Sequence, residues 1–270
     1  MHIEPGLVDA SKIALSYATA AGALGYAAKL SWDTLKTDGT VALSLRAAIC
    51  TILVFCFFEV FPHHAVGVSE VHLILGTTLM LVFGLAPAAL GLAGGLLVQG
   101  LTFAPFDLPQ YGMNVTTLLV PLFATSALAR RIIPQSKAYV DIGYAQALKL
   151  SMAYQGGIVL WVGFWAIYGQ GMGVQNLQSI ASFGAAYMTV VLVEPLVDLG
   201  ILAAAKWLHR LKGSVAVDKR LYSAAEEGRA GMEIEAPPML RDTPKPQGER
   251  RGLVIVHTGT GKGKSTAAFG

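Results

Sequence analysis

Long stretches with almost no charged side chain constrain this chain more than any other feature. A helix that crosses a bilayer needs about 20 mostly apolar residues, because its backbone polar groups can be satisfied only within the segment. Runs at 11–31, 41–61, 86–106, 112–131, 147–168 and 180–205 meet that requirement. A further run, 71–84, is too short to span alone and follows Ala65-Val66-Gly67-Val68-Ser69-Glu70. We read 65–71 as a loop dipping inward, which leads into a short helix that crosses the remainder. Only 14% of the 270 residues are charged, against about 25% in soluble domains. The expectation is an all-α integral membrane protein, a bundle of about seven transmembrane helices.

Basic residues give the orientation, since cytoplasmic connections carry the excess of Lys and Arg. The connections 62–70, 106–112 and 169–179 contain neither. Lys29 and Lys36, then Arg130, Arg131 and Lys137, then Lys206, Arg210 and Lys212 fall between them. This alternation predicts an N-terminus outside and a tail in the cytoplasm, with Lys12 alone on the wrong side. A formal charge of +3 gives no reason to expect nucleic acid. Cys50 and Cys56 sit inside an apolar run and read as buried structural thiols. Trp32, Trp161, Trp165 and Trp207 fall near expected segment ends, as interfacial aromatics do.

Two features inside the segments have open readings. Ala14, Ala18 and Gly22 recur at four-residue spacing on the first segment, which lets another helix approach closely. That helix belongs either to the same bundle or to a partner. Glu194 and Asp198 are four apart, so they share one helix face. They either serve function, as ionisable groups in a membrane commonly do, or face an inner crevice, or pair with Arg46 or a lysine. Glu59 and Glu70 near the outer side could attract cations.

The first residues carry the candidate chemistry. With His2 after Met1, the terminal amine, the His2 amide and the His2 imidazole offer three adjacent nitrogens. One more imidazole would complete a planar four-nitrogen site of the kind that suits Cu(II) or Ni(II). His72, at the expected start of the short helix and among apolar segments, is either that ligand or a hydrogen-bonded core histidine. His63 and His64 follow Pro62 in an outer loop and read as solvated groups or a metal relay.

Met1-His2-Ile3-Glu4-Pro5-Gly6, with Gly67-Val68-Ser69-Glu70-Val71-His72-Leu73, resembles the CbiM/NikM family over about residues 1–205. Leu97-Val98-Gln99-Gly100 and Gly112-Met113-Asn114 add to the likeness. These are the substrate-capture membrane subunits of energy-coupling factor transporters for cobalt and nickel. The resemblance implies an N-terminal loop inserted into the bundle from outside and a metal held by Met1, His2 and His72. Ser69, Gln99 and Asn114 would support that loop, and His63, His64 and Glu70 would receive the incoming ion. It implies Co(II) or Ni(II) as the transported substrate and no enzymatic activity in this subunit. Its partners would be a transmembrane coupling subunit meeting Ala14, Ala18 and Gly22, ATPase subunits that use ATP, and a small accessory membrane subunit. The place would be the inner (plasma) membrane. Glu70 departs from the family pattern, which leaves cobalt against nickel open.

Beyond residue 210 the composition changes. Residues 211–250 carry acids and prolines and read as a disordered cytoplasmic linker. Leu253-Val254-Ile255-Val256 then reads as a strand before Gly259, Gly261, Gly263, Lys264 and Ser265, which form a phosphate cradle. Residues 251–270 resemble the opening of a corrinoid adenosyltransferase, which favours cobalt destined for cobalamin. The alternative is a membrane-anchored ATP:corrinoid adenosyltransferase whose catalytic part lies beyond Gly270. A third reading is a channel-like membrane protein without a metal.

Overall fold

A computed structural model describes residue 3, residues 6–61 and residues 64–224. They belong to the first of two compact units, Met1–Met232. Among the described residues, seven α-helices and one small hairpin, with four short 3-10 turns, make up the regular structure: α1 Ala14–Glu59, β1 His64–Val66, β2 Ser69–Val71, α2 Gly76–Phe83, α3 Leu85–Thr102, α4 Tyr111–Ile132, α5 Tyr144–Gln170, α6 Val174–Met188 and α7 Val190–Trp207. By length and apolar composition, five stretches among the described residues can cross a membrane: α1, α3, Pro105–Ile132 (α4 with the turn before it), α5, and Val174–Trp207, which joins α6 and α7. The chain is an all-α membrane protein.

α1 holds two of the expected runs. Gly39, at φ 85° and ψ 169°, breaks the helix at a conformation that a residue with a Cβ rarely adopts. A straight helix of 46 residues would be about 69 Å long at 1.5 Å per residue. Yet both ends of α1 reach the same region. Ser16 lies against Gly112, two residues before Asn114, and the Phe58 ring meets His72. Asn114 and His72 are themselves linked through Ile3 and Ser69. The helix therefore doubles back at Gly39.

Its second half packs on α3 through absent side chains. A Cβ on Gly91 would strike Cys50, and one on Gly95 would strike Val54. Small residues at four-residue spacing let helix backbones approach where lipid offers no hydrophobic drive. In the first half, Ala20, Ala23 and Ala27 face the core, whereas Ala14, Ala18 and Gly22 are exposed. Trp32 and Trp207 are exposed, but Trp165 is fully buried, and the Trp161 indole N–H donates to Thr116 Oγ1 at 3.1 Å. The last two are packing residues of α5, since Trp165 is enclosed in the core and Trp161 bonds to α4.

Two boundaries differ from the sequence reading. His72 does not begin a helix. β1 and β2 pair antiparallel, with Val66 opposite Ser69, around the two-residue turn Gly67-Val68. An extended segment follows, Leu75 takes a left-handed φ of 54°, and α2 starts only at Gly76. Apolarity located the segment and was silent on its conformation. Residues 211–224 are likewise not a free linker. Val217 and Leu221 are buried in the core, and the Asp218 N–H donates to the Val82 carbonyl at 2.8 Å. The fall in hydropathy marks departure from lipid, not from the protein.

A closed ion network holds that segment. The buried Arg46 guanidinium pairs with Asp38 at 2.8 Å and lies 3.9 Å from Asp218, while Lys219 pairs with Asp38 at 2.8 Å. Burial pushes the Asp38 carboxyl up, but hydrogen bonding and charge from Lys219 and Arg46 outweigh it and hold the group below its ordinary value. Burial wins at Asp218, whose carboxyl is raised.

Candidate metal centre

The hairpin and the first residues build one polar region. Gly67 occupies the first position of the two-residue turn with φ 63°, where a hairpin of this length favours glycine. A Cβ there would also collide with the Ser179 carbonyl on α6. The turn is thus pinned against a helix, which fixes the register of β2 and the departure point of His72.

The N-terminal segment is drawn in beside it. Ile3 is fully buried and pairs with Ser69 in an antiparallel bridge. Its N–H donates to the Asn114 carboxamide oxygen at 2.9 Å. Leu7 and Val8 are buried, and a Cβ on Gly169 at the end of α5 would overlap the Leu7 carbonyl. Lys12 donates to the Tyr168 and Gly169 carbonyls at 3.1 and 3.4 Å. A cation at a helix C-terminus meets unsatisfied carbonyls and the negative end of the dipole. This local contact accounts for the one lysine that broke the charge alternation.

His72 is buried, and its Nε2–H donates to Glu70 Oε2 at 2.9 Å. A neutral imidazole that donates from Nε2 has its lone pair on Nδ1. A carboxylate orienting the ring in this way is the arrangement found behind metal-binding histidines. The Phe58 ring packs edge-on at 5.1 Å between centroids. Gln99 does not touch Ile3 or the hairpin among the described bonds; its amide donates to Glu59 Oε2 at 3.2 Å. His64 is exposed on β1, opposite Val71.

Met1, His2 and His63 lie outside the described residues, as do 225–250, the fragment 251–270 and its Gly259, Gly261, Gly263, Lys264 and Ser265. Among the described residues no three His, Cys, Asp or Glu side chains converge on a metal position. The structure brings Ile3, Ser69, Glu70, His72 and Asn114 together, and leaves Gln99 beside Glu59. Sequence reasoning missed the bridge between Ile3 and Ser69 and the role of Phe58. The strands are three residues each, too short to show an alternating pattern.

The family described as CbiM, cobalt uptake substrate-specific transmembrane region, matches residues 2–210. The chain belongs to that family. It is a cobalt-uptake, substrate-specific membrane component of a transporter, not an enzyme. No curated protein and no solved structure matches it. The CbiM match ends where α7 gives way to the Arg46-anchored segment, so it covers every described helix that can cross a membrane.

Proposed function

We propose that this CbiM-family chain captures Co(II) from outside the cell within an energy-coupling factor transporter. The metal binds to the Met1 amine, the His2 amide and imidazole nitrogens, and the His72 imidazole. The observation that carries this reading is the seating of Ile3, held by Asn114 and paired with Ser69 three residues before the buried His72. A bond at residue 3 limits where residues 1 and 2 can reach, since one residue spans at most about 3.6 Å. Asn114 and Ser69 position the terminal loop, and Gln99 steadies Glu59 beside it. His63, His64, Glu59 and Glu70 receive the hydrated ion.

Nitrogen donors explain preference over magnesium and calcium, which want oxygen. Ni(II) fits the same donors, and raw affinity favours it. The adenosyltransferase-like residues 251–270 favour cobalt for cobalamin synthesis.

Seven crossings fit the reading, with α1 supplying two, the His72–Phe83 segment one, and Val174–Trp207 one. The N-terminus then lies outside and the tail in the cytoplasm of the plasma membrane. The exposed Ala14, Ala18 and Gly22 face suits the coupling subunit. ATPase subunits and a small accessory membrane subunit complete the assembly, with ATP spent by the partners.

The test is uptake of labelled cobalt and nickel in cells that express the partner subunits. His2→Ala and His72→Ala should each abolish uptake at limiting metal. Uptake equal to the unsubstituted protein would remove the nitrogen site.

A further inference from the structure

We infer that Glu194, Asp198, Thr77, Thr78, Ser151 and Gln155 form a second divalent-cation site, lined by oxygen, in the interior of the bundle. It rests on the capture reading only in assigning the site to metal that has left His72.

Three helices converge here. α7 places Glu194 and Asp198 one turn apart, both fully buried. The first turn of α2 brings Thr77 and Thr78, and α5 brings Ser151 and Gln155, again four apart. Thr77 Oγ1 lies 3.2 Å from Glu194 Oε1 and 3.0 Å from Asp198 Oδ2. Thr78 donates to Asp198 Oδ1. The Ser151 hydroxyl donates to Glu194 Oε2 at 2.7 Å, and the Gln155 amide donates to the same oxygen. The sequence alternatives of an inner crevice and of pairing with Arg46 both fail, since the acids are enclosed and Arg46 serves Asp38 and Asp218.

Charge and hydrogen count suit a cation at this position. Among the described residues no Lys, Arg or His pairs with either acid, and neutral donors cannot cancel charge. The α2 N-terminus offsets about half of one elementary charge at most. An unpaired buried carboxylate costs several kcal/mol. Thr77 has one proton and two carboxylate neighbours, so it satisfies only one of them. Gln155 supplies the independent observation. It is fully buried and directed at Glu194 through its amide nitrogen, yet its oxygen has no hydrogen-bond partner among the described residues. The Tyr154 and Tyr187 hydroxyls, also fully buried and near Glu194, have none either. Carboxylate, hydroxyl and carboxamide oxygens are a hard donor set that suits six-coordinate divalent ions.

The place fits passage. A cleft of about 270 Å³ beside the hairpin is lined by His72, Leu73, Thr189, Val190 and Val193, among others. Val193 precedes Glu194 on one wall, and Leu73 leads through Gly76 to Thr77 on the other.

The test uses the full chain in lipid nanodiscs with Mn(II) alone, an ion that prefers oxygen donors, followed by electron paramagnetic resonance. The unsubstituted protein should bind Mn(II) in an oxygen environment. Glu194→Gln with Asp198→Asn should weaken this at least about tenfold, the scale on which metal affinity responds to lost partners. His72→Ala should leave Mn(II) binding intact while removing tight Co(II) binding. No Mn(II) binding by the unsubstituted protein, which needs no variant to fold, would overturn the inference. So would unchanged binding in the Glu194/Asp198 variant, or lost uptake in that variant without a Mn(II) site, which would mark the pair as a proton carrier. Tight Co(II) binding that survives His72→Ala would instead defeat the capture reading and leave this site standing.

Discussion

The hairpin end and the tail end of the bundle are built alike and differ in charge. At each, a non-helical segment folds back onto the helices and is tied by a buried polar side chain. Asn114 holds Ile3 at one end, and at the other Arg46 donates to Asp38 and the Val215 carbonyl and lies near Asp218. The tail end is balanced, with two carboxylates against Arg46 and Lys219. Such a cluster has spent its charges on its own segment. The hairpin end gathers an imidazole, a carboxylate and a carboxamide, His72, Glu70 and Asn114, while Gln99 stays bonded to Glu59. Those groups orient and ligate metals. Balance within a cluster suits a clasp, and a surplus of donors suits the proposed site.

Substitutions at the two ends should therefore separate cleanly, with metal affinity changing at one and local stability at the other. The largest effect belongs to His72→Ala, which removes a proposed ligand and should lower Co(II) affinity by more than about 100-fold, beyond the range for supporting residues, in titration of the purified protein. Gly67→Val should follow, because it strains a left-handed turn and clashes with Ser179. The hairpin should lose amide-exchange protection, and affinity should fall by about 100-fold. Asn114→Ala frees a buried N–H on Ile3 and should cost about 10- to 100-fold in affinity.

Asp38→Asn should change affinity least, by less than about threefold, while weakening the tail clasp by about 2 kcal/mol. Amide exchange over 214–222 would read the loss. If it lowers Co(II) affinity as much as Asn114→Ala, the contrast between the two ends fails. Acid should act on the Asp38 contacts of the same clasp, Asp218 being held above its ordinary value by burial. The Asp38 carboxyl lies below its unfolded value, so its contribution is complete above that value, near pH 3.8, and fades as the pH falls toward the folded one.

Hydropathy made most of the fold legible, since each expected run lies largely on a helix and the break at Gly39 falls between two of them. It could not show the hairpin. Residues 64–71 take their conformation from contacts distant in sequence, Gly67 against Ser179 and Ile3 beside Ser69. Four-residue spacing put Glu194 and Asp198 on one face. Their partners Thr77, Thr78, Ser151 and Gln155 stand on two other helices, where hydroxyls in apolar runs give no pattern of their own. For the nitrogen site the sequence named Met1, His2 and His72. What the described residues add is the seating of Ile3 beside Ser69, three residues before His72.

Co(II) binding by protein carrying one glycine ahead of Met1 tests the central claim most directly. The extension leaves every side chain in place and moves only the terminal amine. Affinity should fall by more than about 100-fold, as for loss of a ligand, and removal of the added glycine should restore it. Affinity equal to that of the unextended chain would contradict a site built on the N-terminus.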